Sequence, residues 1–367
     1  MAEDKPKGRS LSTRSVVWIV MTLLFGLLGA ISLLAPPEGA EDITAGPVGF
    51  DLQGHRGARG LAPENSLPGF EVALAVGVTT LELDTVLSAD GVLLVHHDRR
   101  LDPDRTRGPG GQWLDPEVEP PAIIDLAAGS LAGYDVGRLK PESRVAARFP
   151  EQVGRDGVAI PRLAEVVARA EALSGGRIRY NIETKISPRE PESSAAPEAI
   201  AEALVTLLRE AGITERAAVQ SFDWRSLKAV HELAPEIITV YLTAEQSWLD
   251  TVERGQPAAS PWLAELDVDK AEGSLPRLIQ AAGGRIWSPF FRDLRKPMLD
   301  EAHRYGLRVV VWTVNEPADM ASLIDLGVDG IITDYPDRLR KVMADKGMAL
   351  PKAYPSPGPG AGGGEGD

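Results

Sequence analysis

Short apolar runs rich in β-branched residues alternate with longer amphipathic segments from residue 50 to residue 334. The short runs predict eight strands: Phe50–Gly54, Thr79–Asp84, Arg179–Glu183, Ala218–Phe222, Ile237–Leu242, Arg285–Ser288, Leu307–Val314 and Gly330–Asp334. The segments between them predict helices at Ser66–Val76, Pro161–Leu173, Pro197–Ala211, Trp224–Leu233, Leu294–Tyr305 and Pro317–Leu326. Eight strands alternating with helices favour a (β/α)8 TIM barrel of the α/β class over an open sheet.

One further strand-like run, Val92–His97, does not fit this alternation. The pair Asp90-Gly91 precedes it, and such a pair between two apolar runs is a strong hairpin signal. From Asp84 the chain has about six residues to this turn and about six back to His97, so the two arms are of equal length. We therefore expect a β-hairpin at the barrel mouth that returns His97 to the level of Asp84.

The rest of the chain divides around the barrel, which we place at residues 49–345. Residues 98–158 are rich in Pro, Gly and charged side chains, and they predict an insertion over the C-terminal mouth. This insertion could be a lid over the substrate or irregular packing without a role. Residues 36–48 are a predicted linker, and residues 346–367 are a predicted disordered Pro/Gly tail.

The amino-terminal segment predicts export. A basic n-region, residues 1–15, precedes an uninterrupted apolar run at residues 16–35. A helix of that length spans about 30 Å, the thickness of the hydrocarbon core of a bilayer. The basic flank should stay cytoplasmic, which places the barrel in the periplasm or anchors it outside the inner membrane through this N-terminal hydrophobic helix. The run is either a signal anchor or a cleaved signal peptide.

Charge and composition exclude several classes of function. The formal net charge is −14 with no visible basic stripe, which argues against a nucleic-acid partner. The chain has no cysteine, so disulfides, thiolate zinc sites and a cysteine nucleophile are excluded. A small anionic substrate is still compatible with the charge, because a bound cation can reverse the local potential.

Carboxylates collect at the carboxyl ends of the predicted strands, where barrel enzymes place their active sites. Glu82 and Asp84 close the second strand and Glu183 ends the third. Residues two apart on a strand face the same way, so Glu82 and Asp84 project together into the mouth, where Glu183 can join them. Three converging carboxylates predict one divalent cation, and all-oxygen ligands favour Mg²⁺ or Ca²⁺ over zinc, with Mn²⁺ also tolerated.

Two histidines and two positively charged side chains provide the other groups that cleavage of a phosphodiester requires. His55 and His97 can take and give protons near neutral pH, one at the attacking oxygen and one at the leaving alkoxide. Arg56 and Lys185 supply positive charge for a phosphate. Three further residues near the ends of later strands are candidates for contact with the substrate: Gln220, Phe222 and Trp312.

Nine short motifs occur between Phe50 and Lys341 in the order of one known enzyme family. They are His55-Arg56-Gly57, Pro63-Glu64-Asn65-Ser66, Glu82-Leu83-Asp84, Asp90-Gly91 with His97-Asp98, Ile160-Pro161-Arg162-Leu163, Asn181-Ile182-Glu183-Thr184-Lys185, Ser221-Phe222-Asp223, Trp312-Thr313-Val314-Asn315 and Gly327-Val328-Asp329-Gly330 with Thr333-Asp334-Tyr335-Pro336. One such motif is weakly specific, but nine in order are highly specific. The chain thus resembles the glycerophosphodiester phosphodiesterase family, which implies a phosphoinositide-phospholipase-like (β/α)8 barrel.

This resemblance implies metal-dependent hydrolysis of a glycerophosphodiester to an alcohol and sn-glycerol 3-phosphate. The catalytic histidines of the family match His55 and His97, and its metal-binding carboxylates match Glu82, Asp84 and Glu183. We expect His55 to act as base on the glycerol hydroxyl, giving a cyclic phosphate that water opens, and His97 to protonate the leaving alcohol. Reversed roles for the two histidines and direct attack by water stay open.

Other positions match with less definite roles. Arg56 and Lys185 match phosphate-contacting positions of the family. Glu64 and Asn65 match a Glu-Asn pair that either shapes the first loop through hydrogen bonds or contacts the metal, the phosphate or a catalytic histidine. Asp98 is expected to orient His97 or anchor a loop.

Two other functions are compatible with the same scaffold. A lysophospholipase D-like enzyme or phospholipase would act on membrane lipids, and an apolar rim on the insertion would favour it. A binding protein would keep the barrel without catalysis, and the loss of a histidine or carboxylate would favour that alternative, but all are present. The sequence leaves the alcohol and the oligomeric state open.

Overall fold

The computed structural model describes residues 49–355. The predicted n-region, signal segment and linker at residues 1–15, 16–35 and 36–48 lie outside the described residues. Within residues 49–355 no helix has both the length and the apolar character needed to cross a bilayer.

Eight parallel strands close into a barrel, which confirms the predicted fold class. All strands, numbered along the chain, are β1 (Asp51–Gly54), β2 (Thr80–Leu87), β3 (Leu93–Val95), β4 (Arg179–Thr184), β5 (Ala217–Ser221), β6 (Ile238–Thr243), β7 (Glu245–Gln246), β8 (Leu249–Asp250), β9 (Ile286–Pro289), β10 (Arg308–Val311) and β11 (Gly330–Thr333). The barrel order is β1-β11-β10-β9-β6-β5-β4-β2, and β1 pairs with β2 to close it.

Helices follow most barrel strands and cover the outside of the sheet. They are α1 (Leu67–Val76), α2 (Ala128–Leu131), α3 (Arg144–Arg148), α4 (Leu163–Ser174), α5 (Pro197–Glu210), α6 (Trp224–Leu233), α7 (Leu275–Ala281), α8 (Lys296–Arg304), α9 (Pro317–Leu326) and α10 (Pro336–Asp345). The Ser66 hydroxyl caps α1 by accepting a hydrogen bond from the Gly69 N–H at 3.1 Å. Two helices were not predicted from the sequence: α7, which has only seven residues, and α10, which follows the last strand.

The predicted hairpin is present. Strand β3 pairs antiparallel with β2, and Thr85 lies opposite Val95. Beyond β3, the backbone N–H of His96 donates to the Asp84 carbonyl at 3.1 Å. The chain therefore returns to the level of Asp84 immediately before His97, as the equal arms predict.

Residues 98–158 interrupt the alternation of strands and helices and pack beside the hairpin. Leu101 and Leu131 of this segment form a small apolar cluster with Val86 and Leu94 of the hairpin. This cluster is separate from the main core between the barrel and its helices, so the segment packs on a small apolar core of its own.

The prediction of a disordered tail from residue 346 is wrong for residues 346–355. The Tyr354 backbone N–H donates to the Leu74 carbonyl at 2.7 Å, and the Arg340 guanidinium donates to the Pro351 carbonyl at 2.7 Å. A Pro-rich segment that lacks helical periodicity can still be ordered when backbone hydrogen bonds and ring contacts hold it, as they do at Tyr354. Residues 356–367 lie outside the described residues.

Candidate active site

The carboxyl ends of the barrel strands surround a cavity of about 720 Å³. Nine of the twelve predicted site residues line it: His55, Arg56, Glu82, His97, Glu183, Lys185, Gln220, Phe222 and Trp312. The other three, Glu64, Asn65 and Asp84, do not line the cavity, but each contacts Arg56. The barrel thus brings residues from distant parts of the sequence to one place.

Glu82, Asp84 and Glu183 converge at this end of the barrel. Glu82 and Asp84 are two residues apart on β2, so their side chains lie on the same face of the strand. The register between β2 and β4 places Asp84 opposite Glu183. One carboxylate oxygen from each residue lies within 4.8 Å of the other two. All three side chains are buried. Such a set of anionic groups is costly to bury without a compensating positive charge.

The protonation of the three carboxyls reflects this crowding. Burial raises the pKa of Glu82 well above its ordinary value, and the charge of Asp84 adds to the effect. Burial also raises the pKa of Glu183 to about 7, although Lys185 opposes it. Burial acts on Asp84 too, but Arg56 outweighs it and holds the pKa of that carboxyl well below its usual range. One of the three carboxylates is therefore firmly ionised, and the other two hold protons readily.

This arrangement fits a divalent cation. The donors are all carboxylate oxygens, which hard ions such as Ca²⁺ and Mg²⁺ prefer. In the described part of the chain, the buried Oδ1 of Asp84 accepts no hydrogen bond. A buried acceptor without a donor is costly, and a cation between the three carboxylates would satisfy it. The same cation would displace the protons that Glu82 and Glu183 hold.

Two positively charged side chains, Lys185 and Arg56, border the carboxylates. The Lys185 ammonium donates to Glu183 Oε1 at 2.7 Å and lies 3.7 Å from Asp84 Oδ1. The Arg56 guanidinium lies 3.1 Å from Asp84 Oδ2, and its backbone N–H donates to Glu82 Oε2 at 2.8 Å. Both side chains line the cavity, so an anionic ligand there would meet positive charge on two sides.

The loop after β1 is held in an unusual backbone conformation. Arg56 and Asn65 both have φ of 51°, in the left-handed region that non-glycine residues rarely adopt. The Asn65 backbone N–H donates to the Arg56 carbonyl at 3.0 Å, which joins the two strained positions. At Gly57, with φ of 86°, a Cβ atom would lie 2.7 Å from the Gly69 backbone, so only glycine fits. The hydrogen bond from the Arg56 backbone N–H to Glu82 Oε2 helps to hold this strained conformation.

Each of the two histidines is paired with an aspartate. His55 Nδ1 lies 2.6 Å from Asp334 Oδ1, and His97 Nδ1 lies 2.7 Å from Asp98 Oδ1. Both imidazoles line the cavity. An aspartate at Nδ1 fixes the ring orientation and the tautomer, because the ionised carboxylate can only accept the Nδ1–H. This geometry agrees with the expectation that Asp98 orients His97.

The pKa values explain which atoms carry protons. Burial lowers the pKa of His55 below its ordinary value, against the opposing effect of Asp334. Burial and nearby cations lower the pKa of His97 to about 3. For Asp334 burial raises the pKa, but the adjacent His55 outweighs it and brings the value to about 2. At neutral pH both imidazoles are therefore neutral, with Nδ1 protonated and Nε2 able to accept a proton.

Glu64 and Asn65 hold other site residues in place. Glu64 pairs with Arg56 at 2.8 Å and with Arg59 at 2.6 Å. The Asn65 amide donates to Asp84 Oδ2 at 2.8 Å. Neither side chain lines the cavity. These contacts favour shaping of the first loop over direct contact with the metal, the phosphate or a catalytic histidine, because the polar atoms of both side chains already bind neighbouring residues.

Gln220 also has a clear protein partner. Its amide donates to Glu82 Oε1 at 2.6 Å, although it borders the cavity as predicted. Part of the cavity wall is aromatic: the ring centroids of Phe222 and Trp312 lie 5.2 Å apart, and those of Phe290 and Trp312 lie 5.4 Å apart. These rings offer apolar surface to the carbon atoms of a ligand, and Phe222 lies beside the Lys185 ammonium.

Several residues of the site had no predicted role. Asp334 orients His55, and the Asn315 amide donates to Asp334 Oδ2 at 2.7 Å. Arg105 of the 98–158 segment donates to Asp98 Oδ2 at 2.8 Å and lines the cavity. Asp334 and Asn315 stand in motifs after late strands, so their location at the mouth could have been predicted. No pattern in the sequence indicates Arg105.

The raised pKa of Glu183 predicts a pH-dependent stability for ion-free protein. A carboxyl with a pKa of about 7 when folded and 4.5 when unfolded holds its proton only in the folded state between these values. Below its unfolded-state pKa this carboxyl makes its full contribution to the free energy of unfolding. As the pH rises from the unfolded-state pKa through the folded-state pKa, that contribution is lost, by up to about 1.4 kcal/mol per pH unit. We expect the melting temperature of chelator-treated wild type to fall relative to that of Glu183→Gln between about pH 5 and pH 7.

The comparison with the variant separates the coupled carboxyls of the cluster from the two histidines. The two histidines act in the opposite direction, because their lowered pKa values make the unfolded state bind more protons below about pH 6.5. Glu183→Gln keeps both histidines, so their effect cancels in the difference. Wild-type and variant melting temperatures that change in parallel over this range would contradict the raised pKa.

The sequence of residues 55–338 matches the model of the Glycerophosphoryl diester phosphodiesterase family. A glycerophosphodiester phosphodiesterase of Bacillus subtilis (strain 168) is 28% identical over 331 residues, which cover 88% of this chain and 97% of that protein. That match includes almost the whole of the relative, and residues 55–338, which match the family model, include the whole of the site.

Solved structures agree with this family assignment. A crystal structure from Silicibacter pomeroyi, whose name refers to the same family, is 33% identical with a TM-score of 0.73 and covers 83% of this chain and 96% of its own. A phosphodiesterase of Oleispira antarctica, 19% identical with a TM-score of 0.59, shares the fold over 82% of this chain and 99% of its own. With the family model matching most of its length, the chain belongs to the glycerophosphoryl diester phosphodiesterase family and is a phosphoric diester hydrolase.

Proposed function

We propose that this protein hydrolyses glycerophosphodiesters to an alcohol and sn-glycerol 3-phosphate with one divalent cation and two histidines. The observation that carries the proposal is the cavity that Glu82, Glu183, His55 and His97 line together, with Asp84 beside them. Family membership supports the substrate class. The Oleispira antarctica phosphodiesterase, which shares the fold, was solved in complex with the product sn-glycerol-3-phosphate.

Glu82, Asp84 and Glu183 would hold the cation, with Ca²⁺ or Mg²⁺ as the preferred ion and Mn²⁺ as a third candidate. When bound, a divalent cation polarises a phosphoryl oxygen and offsets the negative charge that grows in the transition state. Arg56 and Lys185 then bind the remaining phosphoryl oxygens from the cavity wall, because both are ionised and border the carboxylates.

His55 is the proposed base. Its Nδ1–H is held by Asp334, so Nε2 presents a lone pair to the cavity. It takes the proton from the attacking oxygen, which we assign to the glycerol hydroxyl of the substrate. That oxygen bonds to phosphorus while the bond from phosphorus to the alcohol breaks. The cyclic phosphate formed in this step is then opened by water to sn-glycerol 3-phosphate.

His97 is the proposed acid. Arg56 and Lys185 contribute to the low pKa of its imidazole, and both contact the phosphate in this account. A bound phosphodiester anion neutralises part of their effect, so substrate binding favours protonation of His97. Asp98 stabilises the resulting imidazolium through Nδ1, and Nε2–H is given to the leaving alkoxide. When water opens the cyclic phosphate, His97 takes a proton from the attacking water and His55 gives its proton to the glycerol oxygen that leaves phosphorus, so both histidines regain their starting states.

A lysolipid is the second candidate substrate. Trp248, in the turn between β7 and β8, is 59% exposed and packs against Phe290 with ring centroids 5.4 Å apart. Such an exposed aromatic residue beside the cavity could contact an acyl chain. Assays of the purified enzyme on glycerophosphocholine, glycerophosphoethanolamine and lysophosphatidylcholine, scored by the phosphorylated product, decide between them. Release of sn-glycerol 3-phosphate from the first two is expected, and faster turnover of the lysolipid would favour the alternative.

The site of action is proposed from the amino-terminal sequence. The basic residues 1–15 and the apolar run 16–35 support export, with the barrel either periplasmic or anchored to the inner membrane. A fusion of a reporter enzyme that is active only outside the cytoplasm to residue 345 should give activity. An inactive but intact fusion would contradict export.

A further inference from the structure

The interior of the barrel has an apolar part and a polar part. Five strands contribute an apolar cluster of inward-facing side chains: Ala218, Val240, Ile286, Val310 and Ile332. The strands β1, β2, β4 and β5 contribute instead a row of buried polar side chains: Asp51, Gln53, Asn181, Gln220 and Glu82. Buried polar groups are costly unless they are paired, so this row requires an explanation.

Hydrogen bonds join the five polar side chains into one chain, called here the amide relay. The Asn181 amide uses both N–H groups, one to Gln53 Oε1 and one to Gln220 Oε1, each at 2.9 Å. The Gln53 amide donates to Asp51 Oδ2 at 2.7 Å. The Gln220 amide donates to Glu82 Oε1 at 2.6 Å. The relay thus runs from a carboxylate at the start of β1 to a carboxylate of the proposed cation site.

The relay allows one orientation of its amides when the carboxyls at its two ends are ionised, as Glu82 would be with the cation bound. An ionised carboxylate only accepts hydrogen bonds, so each glutamine then points its NH₂ group outward, to Asp51 or to Glu82. Both glutamine carbonyls then face Asn181, which must donate to both. With the Asn181 amide flipped, its oxygen would face two other oxygens. In keeping with this, the buried Oδ1 of Asn181 accepts no hydrogen bond from the described residues.

We propose that Asn181 is a positioning residue of the cation site, acting on Glu82 through Gln220. This inference rests on the cation site of the proposed function. Glu82 is held at both oxygens, Oε1 by Gln220 and Oε2 by the Arg56 backbone N–H at 2.8 Å. Loss of either donor frees the carboxylate to rotate. Asn181 fixes the Gln220 amide in the orientation that donates, and so holds the Glu82 carboxylate in the plane that faces Asp84 and Glu183.

The test measures cation affinity by calorimetry on chelator-treated full-length protein, with Ca²⁺ and Mg²⁺ as the titrated ions. Asn181→Leu keeps the number and branching of the side-chain heavy atoms but removes both donors, and we expect its Kd to rise by about 10- to 100-fold, as for other residues that orient metal ligands. Gln53→Met is the matched control, because it breaks the far arm of the relay and leaves the bonds from Asn181 to Gln220 and from Gln220 to Glu82. Its Kd should stay within about twofold of wild type.

A double-mutant cycle separates positioning from a general loss of stability. If Asn181 acts through Gln220, Asn181→Leu adds little to the Kd of Gln220→Met, so the effects are not additive. Additive effects, an unchanged Kd in Asn181→Leu, or an equal rise in Gln53→Met would each overturn the inference. Should Asn181→Leu fail to fold, Asn181→Thr, which removes one donor, takes its place with the same criteria. Wild-type protein that binds neither ion would contradict the proposed function itself.

Discussion

Replacing His55 by alanine is expected to lower kcat on a glycerophosphodiester by about 100- to 10,000-fold, the range for loss of a general base. Asp334 orients the His55 imidazole through Nδ1, and Nε2 of this ring faces the cavity in this account. His97→Ala should give a loss of the same order, because the leaving alkoxide then departs without a proton. Steady-state kinetics of the purified variants, with circular dichroism to confirm folding, measures both effects.

His231→Ala is the matched control for this prediction. His231 is exposed on α6, outside the cavity, and its removal should leave kcat unchanged. A His55→Ala variant that folds and keeps more than about one tenth of wild-type turnover would exclude His55 as the base, because proton transfer contributes more than that. A loss of turnover in His97→Ala but not in His55→Ala would indicate that only His97 transfers a proton.

Asp84→Asn is expected to abolish tight cation binding and to lower kcat/KM by about 100-fold or more. Asp84 is the one cluster carboxyl whose pKa lies well below its usual range, so it provides the most permanent negative charge for the ion. It also has the buried oxygen Oδ1 that accepts no hydrogen bond among the described residues. Asparagine keeps the shape and the bond to Asn65 but removes that charge. Calorimetry with Mg²⁺ and Ca²⁺, together with steady-state kinetics, checks both expectations.

Asp325→Asn provides a matched change of charge away from the site. Asp325 is exposed and pairs with Lys346, so its loss should alter neither cation affinity nor turnover. Wild-type cation affinity in folded Asp84→Asn would show that the ion, if any, binds elsewhere. The cluster of Glu82, Asp84 and Glu183 would then be a structural feature of the barrel mouth.

Much of the fold could be predicted because the signals are local. Alternation of apolar runs and amphipathic segments located eight barrel strands, and Asp90-Gly91 located the hairpin that sets β3 against β2. Helix α7 was missed because seven residues with a proline near the start show too little periodicity. The order at Tyr354 was missed because it depends on a hydrogen bond to Leu74, far away in the sequence.

The site residues that could be predicted are those that lie at the carboxyl ends of barrel strands. Glu82, Asp84 and Glu183 converge because alternation along β2 and the parallel register with β4 require it. The partners of these residues could not be predicted in the same way. Asp334 reaches His55 only because β11 and β1 are neighbours in the closed barrel. Arg105 belongs to an irregular segment whose path no pattern specifies.

Removal and return of the cation tests the central claim most directly. Release of sn-glycerol 3-phosphate from glycerophosphocholine is measured with wild-type protein before chelation, after chelation, and after addition of Ca²⁺, Mg²⁺ or Mn²⁺. The account predicts that chelation lowers the rate by about 100-fold or more and that at least one of these ions restores it. A chelated enzyme that releases sn-glycerol 3-phosphate at the original rate would contradict it.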